Sequence, residues 1–537
     1  MSPRKLDKAL VEDVLGLSPV QHGMLFHTLL SPESELYFEQ TSLELTGVIQ
    51  PDLLKQAWSF VIASNQMLRA VFRWTNLDNP VQVVLKHSEL QWEHRVLDNT
   101  TDMVEQIESI KAADRNSKFD LEKTPFRIIL CSKGTNSAEM IICFHHMLID
   151  GWSFAIILRE FLDNYKRLLQ RMPLEESRKT SFKEHIKLFR TRDVNSQRAF
   201  WQEYLEGYSN RLLLPYEVKF NAGLHSITQT DEISFLLSDD IHRNLHKFIQ
   251  THQLTVATFL YTAWGITLQK FNNTLDVVFG TTLSGRDQSI KDVDRIVGMF
   301  INTLPIRIKT SPSETILNVL KNVQSSLLHR EPYHSTSLVD IKDFMNEKDL
   351  YSLFRSIVVI ENYPLGELFS NTDELNIKAI SSFEMTNYDL TVVFTEGAIP
   401  TIHLKYNSTL FHPVLVKNLQ KHLLEIIRQM LSTPEMQVSS VRLLNQRDYS
   451  HFLSNLSDGG IIDYSVERTV ERLFEEQVAR TPNAEAVVFG DMSLTYAELN
   501  RRGNQLAHYL RQQGVGPESL VAICMDRSVD LIVALLG

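Results

Sequence analysis

Two adjacent histidines, His145 and His146, stand at the end of an apolar, β-branched run that begins at Ile141, and the pair Asp150-Gly151 follows them. Imidazole transfers protons near neutral pH. Backbone N–H groups at the start of a helix stabilise a developing negative charge. These residue types at this spacing therefore predict a site where a proton moves beside a developing anion.

The elements around these residues must hold them in place. The run up to Ile149 is typical of a buried strand, Asp150-Gly151 of a turn, and residues 154–162 are apolar at helical spacing. Successive side chains of a strand leave on opposite faces, so His145 and His146 cannot both face one cavity. We expect one of them to be packed as structure and the other to be free to react.

The bulk composition limits the class of protein. The chain has 537 residues, of which 43% are hydrophobic and 22% charged, and this predicts roughly three or four globular domains with ample core. The net charge of −11 argues against a nucleic-acid partner. We see no apolar run near the roughly 20 residues that span a membrane, and no signal peptide. We expect a soluble, cytoplasmic protein.

The three cysteines, Cys131, Cys143 and Cys524, show neither disulfide nor metal spacing. A metal site at His145, His146 and Asp150 is not expected. Adjacent strand histidines diverge, and no further ligand stands nearby at a usable spacing.

The segment from His145 to Ser153 resembles the HHxxxDG signature of condensation domains in nonribosomal peptide synthetases, whose fold is related to chloramphenicol acetyltransferase. Further segments along the chain are similar to motifs of the same family: Leu17–His27, Asn65–Phe72, Val297–Arg307, Glu361–Leu365 and Asn387–Leu390. The chain departs from the family at Ser64 and Asn65, where Arg and His are usual, and in the loop 331–334. Residues 494–500 resemble the first core motif of an adenylation domain.

The resemblance implies an α+β fold with two chloramphenicol acetyltransferase-like lobes that form a V with a tunnel between them, followed by a partial α/β adenylation segment. The sequence predicts these divisions: a docking-like segment 1–16, an N-lobe 17–178, a C-lobe 179–444, a linker 445–465 and a truncated adenylation start 466–537. The chain ends before a phosphate-binding loop, so we do not expect the last segment to activate an amino acid.

The activity implied by the resemblance is amide-bond formation between a donor thioester and the α-amine of an acceptor aminoacyl thioester. Both substrates would arrive on 4′-phosphopantetheine arms of carrier proteins, with no tightly bound cofactor. The expected partners are a donor carrier, reached in trans through residues 1–16, an acceptor carrier and an adenylation domain. Epimerisation by the same fold and a non-catalytic carrier-docking scaffold remain as alternatives.

The resemblance also assigns roles to residues. His146 would orient the amine and accept its proton, and the N–H of Gly151 would face the oxyanion. His145 would be a packed structural histidine. Asp150 is expected in a structural ion pair, with Arg286 as first partner and Arg69 as second. Trp152, Ser153 and Asn302 are predicted to bind substrate.

Overall fold

A computed structural model describes residues 6–98, 100–175, 179–208, 212, 214, 230–346, 353–361, 375–396, 400–456 and 469–537. The chain divides into two compact units, Met1–Asn445 and Gln446–Gly537. Within the described ranges, each helix is either too short or too polar to cross a lipid bilayer.

The first half of the first unit is a mixed α+β layer. Its elements are β1 (Val11–Gly16), α1 (Pro19–Leu30), β2 (Phe38–Gly47), α2 (Pro51–Ser64), β3 (Ala70–Arg73), β4 (Val81–Leu85), β5 (Gln91–Val96), α3 (Met103–Asn116), β6 (Phe126–Ser132), β7 (Ser137–His145) and α4 (Gly151–Leu169). The strand β7 lies in the middle of a five-stranded sheet, between β2 and β6. Its residues are buried on both faces of the sheet, which explains why its sequence is a continuous apolar run.

The second half forms its own sheet and core. Its elements are α5 (Lys183–Thr191), α6 (Val194–Tyr204), β8 (Thr230–Leu236), α7 (Asp239–His252), α8 (Val256–Asn272), β9 (Asp276–Leu283), β10 (Asn302–Lys309), α9 (Ile316–Arg330), α10 (Leu338–Phe344), β11 (Ser356–Glu361), β12 (Leu375–Phe383), β13 (Leu390–Thr395), β14 (Thr401–Asn407) and α11 (Pro413–Ser432). The sheet order is β10-β9-β11-β13-β14-β8. Pro305 lies in the edge strand β10, as its missing N–H predicts.

Two segments of the second half pack with the first half. The strand β12 completes the five-stranded sheet, whose order is β12-β2-β7-β6-β5, and pairs antiparallel with β2 from Leu375 opposite Gly47 to Phe383 opposite Gln40. Apolar residues between Ile290 and Phe300 belong to the core around β7 and α4. The boundary at 178/179 stays a prediction. The two halves are not separate in space, because β12 and the segment 290–300 of the second half pack with the first half.

Residues 11–16 of the predicted docking segment 1–16 are part of the folded unit, and the docking role of the segment stays a prediction. They form β1, which pairs antiparallel with β4 in a three-stranded sheet. Two ion pairs tie it to the body, Glu12 with Arg69 and Asp13 with Lys183. Glu12 and Asp13 stand next to each other in this edge strand, between Val11 and Val14. Residues 1–5 lie outside the described range.

The second unit has a small core of its own. It contains α12 (Gln446–His451), α13 (Val470–Arg480), the hairpin β15–β16 (Glu485–Phe489 and Met492–Thr495), α14 (Tyr496–Gln512) and α15 (Val529–Leu536). Thr495 and Glu498 form a reciprocal capping box at the start of α14, inside the segment 494–500. Residues 457–468, most of the predicted linker, lie outside the described ranges.

Gly298 lies in the crossing loop, residues 290–300, where this loop packs tightly against the buried ring of Phe182. A methyl group on Gly298 would lie 2.3 Å from Cδ2 of the buried Phe182. We expect Gly298→Ala to lower the free energy of unfolding by about 1–3 kcal/mol, because the ring cannot move without disturbing its neighbours. The measurement is the urea midpoint of the full chain. Gly23→Ala has open space and serves as control, and an unchanged midpoint in Gly298→Ala would contradict the prediction.

Candidate active site

His145 is a packed histidine. Its side chain is buried, its Nδ1 accepts from the Met147 N–H (3.2 Å), and its Nε2 lies 3.2 Å from the Thr28 hydroxyl. A backbone N–H can only donate, so the ring proton of neutral His145 is on Nε2. Burial, together with the neighbouring His146, lowers the pKa of His145 to about 3. The ring is therefore neutral and structural.

His146 lies on the other side of the sheet and lines a cavity between the two halves of the first unit. Its backbone N–H donates to the Tyr37 carbonyl (2.8 Å), which holds the end of β7 against β2. Its Nδ1 lies 3.0 Å from the Ile149 carbonyl oxygen. A carbonyl only accepts, so Nδ1 carries the proton and the neutral ring keeps a lone pair on Nε2. This arrangement leaves Nε2 as a base.

Asp150 is the N-cap of α4 and the centre of a buried network. Its Oδ1 accepts from the Ser153 N–H (2.7 Å) and from Arg286 Nη2 (3.3 Å), and its Oδ2 accepts from the Phe300 N–H (3.1 Å). Asp150 is 1% exposed and so depends on these donors for its charge. Arg286, the first predicted partner, lies in this ion pair.

Arg69, the second predicted partner of Asp150, is bound elsewhere. Its Nη1 donates to Glu12 (2.5 Å) and to the carbonyls of Leu85 and Lys86. Arg69 follows α2 on the side of the β1–β4–β3 sheet, and it fastens β1 to that sheet. That part of the prediction is wrong.

The side chains in the first turn of α4 have two different environments, the cavity and the crossing loop. Gly151 and Phe154 line the cavity, one helical turn apart. Trp152 and Ser153 do not. The Trp152 Nε1–H donates to the Asp294 carbonyl (3.2 Å), and the Ser153 hydroxyl donates to the Gly298 carbonyl (2.8 Å). Both side chains hold the crossing loop, and their role in substrate binding stays a prediction.

The cavity has a volume of about 890 Å³ and takes its walls from both halves of the first unit. Asn302 lines it at the start of β10, and its role in substrate binding stays a prediction. The Asn302 amide donates to the carbonyls of His334 (2.8 Å) and Thr336 (2.7 Å), while its buried Oδ1 accepts from none of the described residues. Asn302 therefore shapes the wall by holding the loop after α9.

Sequence reasoning missed the charged groups around His146. Glu39 on β2 and Glu384 just after β12 line the same cavity, and one ligand atom from each of Glu39, His146 and Glu384 lies within 4.8 Å of the others. Glu384 accepts from Lys405 Nζ (3.0 Å). The only available signal was alternation along β2, which places Tyr37, Glu39 and Thr41 on one face.

The two carboxyl groups differ in charge state. The Lys405 ammonium lowers the pKa of the Glu384 carboxyl, which is therefore ionised. Burial, and then the Glu384 charge, raise the pKa of the Glu39 carboxyl well above its usual range. Burial also raises the pKa of Glu361, which lies near Glu384. The cavity wall beside His146 thus has acceptor groups with distinct proton affinities.

His145, His146 and Asp150 do not form a metal site together. His145 and Asp150 are committed to hydrogen bonds with Thr28, Met147, Ser153 and Arg286. The expectation that no further ligand stands near His146 is wrong, however, because sheet pairing brings Glu39 and Glu384 to it. Nitrogen and oxygen ligands of this kind can hold a divalent cation.

The Asp150–Arg286 pair gives a stability prediction. Asp150→Asn leaves the buried Arg286 without its anion, and we expect the free energy of unfolding to fall by about 3–5 kcal/mol. Asp13→Asn breaks a half-exposed pair with Lys183 and should cost at most about 1 kcal/mol. Urea denaturation of both variants makes the comparison. Equal midpoints for the two variants would show that Asp150 has no structural role.

Comparison with known families follows the same division of the chain. The condensation domain family matches residues 11–453, and the AMP-binding enzyme family matches residues 474–537. The first match begins at β1, which agrees with β1 being part of the fold.

Curated relatives are similar over almost the whole chain. Gramicidin S synthase 2 from Brevibacillus brevis is 33% identical over 539 residues, which is 99% of this chain and 12% of that protein. Tyrocidine synthase 2 from Brevibacillus parabrevis is 33% identical over 539 residues, which is 99% of this chain and 15% of that protein. The chain therefore spans less than a sixth of the length of these relatives.

Solved structures share the fold. The holo form of AB3403, a four-domain nonribosomal peptide synthetase bound to AMP and glycine, superposes with a TM-score of 0.75 at 17% identity, over 96% of this chain and 40% of that one. The first condensation domain of the CDA synthetase gives a TM-score of 0.66 at 17% identity, over 81% of this chain and 100% of that one. The chain belongs to the condensation domain family of nonribosomal peptide synthetases and continues into the start of an AMP-binding domain.

Proposed function

We propose that this chain forms an amide bond between a donor acyl or peptidyl thioester and the α-amine of an acceptor aminoacyl thioester. The observation that carries the proposal is the position of His146, whose Nε2 keeps its lone pair beside a cavity of about 890 Å³ between the two halves. Two substrates that are each tethered to a carrier need such a shared space with a base in its wall.

The reaction needs little from the protein beyond placement and one proton transfer. The amine nitrogen attacks the thioester carbonyl carbon, the C–N bond forms, the C–S bond breaks and the donor thiolate leaves. The nitrogen then carries an acidic proton. His146 Nε2 takes this proton, and the resulting imidazolium can return it to the thiolate. The hydrogen bond from Nδ1 to the Ile149 carbonyl holds the ring in the required tautomer.

The negative charge of the tetrahedral intermediate falls near the start of α4. Gly151 is the first residue of that helix and lines the cavity. First-turn N–H groups have no partner within the helix, and the dipole there is positive. We assign the Gly151 N–H to the oxyanion. Asp150 and Arg286 act on the substrate only by fixing this turn.

The substrates would be carried on 4′-phosphopantetheine arms. A thioester at the end of a long flexible arm suits a cavity that receives wall residues from both halves, since each arm can enter and the thioesters can meet inside. The partners are then a donor carrier protein, an acceptor carrier protein and the adenylation domain whose start follows in the chain.

The test is amide synthesis with charged donor and acceptor carriers, followed by the intact mass of the acceptor. We expect His146→Ala to reduce the rate by about 10²–10⁴-fold, the usual contribution of a positioned acid–base group. His87→Ala removes an exposed histidine and should keep the full rate. Near-full synthesis by His146→Ala would rule out both a base and an orienting role.

A further inference from the structure

Three adjacent strands of one sheet deliver Glu39, His146 and Glu384 to the same point of the cavity. The strand β2 lies between β7 and β12. His146 follows β7 and is hydrogen-bonded to Tyr37, two residues before Glu39. Phe383 pairs with Gln40, so Glu384 comes opposite Glu39 at the next position. The grouping is thus fixed by backbone pairing and not by flexible side chains.

This grouping costs stability unless something fills it. Burial and the neighbouring Glu384 charge both oppose ionisation of Glu39, whose pKa is raised well above its usual range. Glu384 has Lys405 as its counter-ion. Glu39 forms no ion pair with the described residues, and its Oε1 is buried without a hydrogen bond to any of them. A buried carboxyl oxygen without a donor is expensive. The site therefore has acceptor capacity that the described part of the protein leaves unused.

We propose, on the basis of the function proposed above, that Glu39, Glu384 and His146 together bind the α-ammonium group of the acceptor substrate. An ammonium group has three N–H donors, and the site offers one acceptor atom from each of three residues within 4.8 Å of one another. The acceptor amine is the one cationic group near the reacting atoms of that reaction. Binding makes and breaks no covalent bond. The bound ammonium releases one proton to water before the nitrogen attacks, and His146 takes the second proton after the C–N bond has formed.

The assignment explains how the two tethered substrates are told apart. A donor whose amine is already acylated has no ammonium to offer. A free aminoacyl thioester places its α-amine on the three acceptors, and the nitrogen then lies beside the His146 base. The ionised Glu384 supplies the charge attraction, while Glu39 supplies a further acceptor at the back of the site.

Equilibrium binding tests this without turnover. The probes are the stable amide analogues of alanyl-pantetheine and lactoyl-pantetheine, which differ only in an amine against a hydroxyl, and the full chain is first dialysed against EDTA. We expect the unmodified protein to prefer the amine by about tenfold or more, and Glu384→Gln and Glu39→Gln each to lose most of that preference. Glu44→Gln, on the opposite face of β2, is the matched control and should keep it.

Each result has one meaning. The same amine preference in all four proteins would overturn the proposal, as would a preference that returns only when Zn²⁺ or Mg²⁺ is added, because the three residues would then hold a metal. Circular dichroism checks folding. Glu39→Asp keeps the carboxyl group but draws it back from the site by one methylene, and gives a second test with the same expected loss. An intact preference without amide synthesis in the carrier assay would overturn the proposed function and leave the ammonium site standing.

Discussion

The buried ion pair between Asp150 and Arg286 is the constraint on which the site depends. It joins the N-terminus of α4 to the loop that precedes β10, and it has the Ser153 hydroxyl and the Gly298 backbone as further partners. Arg286 also donates to the carbonyls of Val293 and Ile296. One guanidinium therefore fixes the loop and the helix start together. The position of Gly151 relative to His146 follows from that fixed point.

The sequence was most informative where structure is local. A strand, a turn and a helix could be predicted around His145–Gly151, and alternation along the strand correctly separated a packed histidine from one that faces a cavity. Trp152 and Ser153 directly follow the motif but do not line the cavity. Helical rotation turns them away from Gly151 and towards the crossing loop. Membership of a motif does not say which wall a side chain faces.

The rest of the site is non-local and could not be predicted from the sequence. The sequence does not say which sheet β12 joins, and that choice decides whether Glu384 meets His146. Likewise, residues 11–16 mix charged and apolar side chains without a clear period, which does not distinguish an edge strand from a frayed helix. Partners distant in the chain, Arg69 and Lys183, settle the matter. In both cases the deciding information is strand pairing, which a single sequence does not contain.

The exchange of β12 into the sheet of the first half has a mechanical consequence. The strand β12 pairs with β2 over its whole length, so backbone hydrogen bonds connect the two halves. The halves cannot separate fully without breaking these hydrogen bonds. Only a hinge motion about the β2–β12 side leaves those hydrogen bonds intact. A molecule that enters the cavity must therefore do so while β12 stays paired with β2.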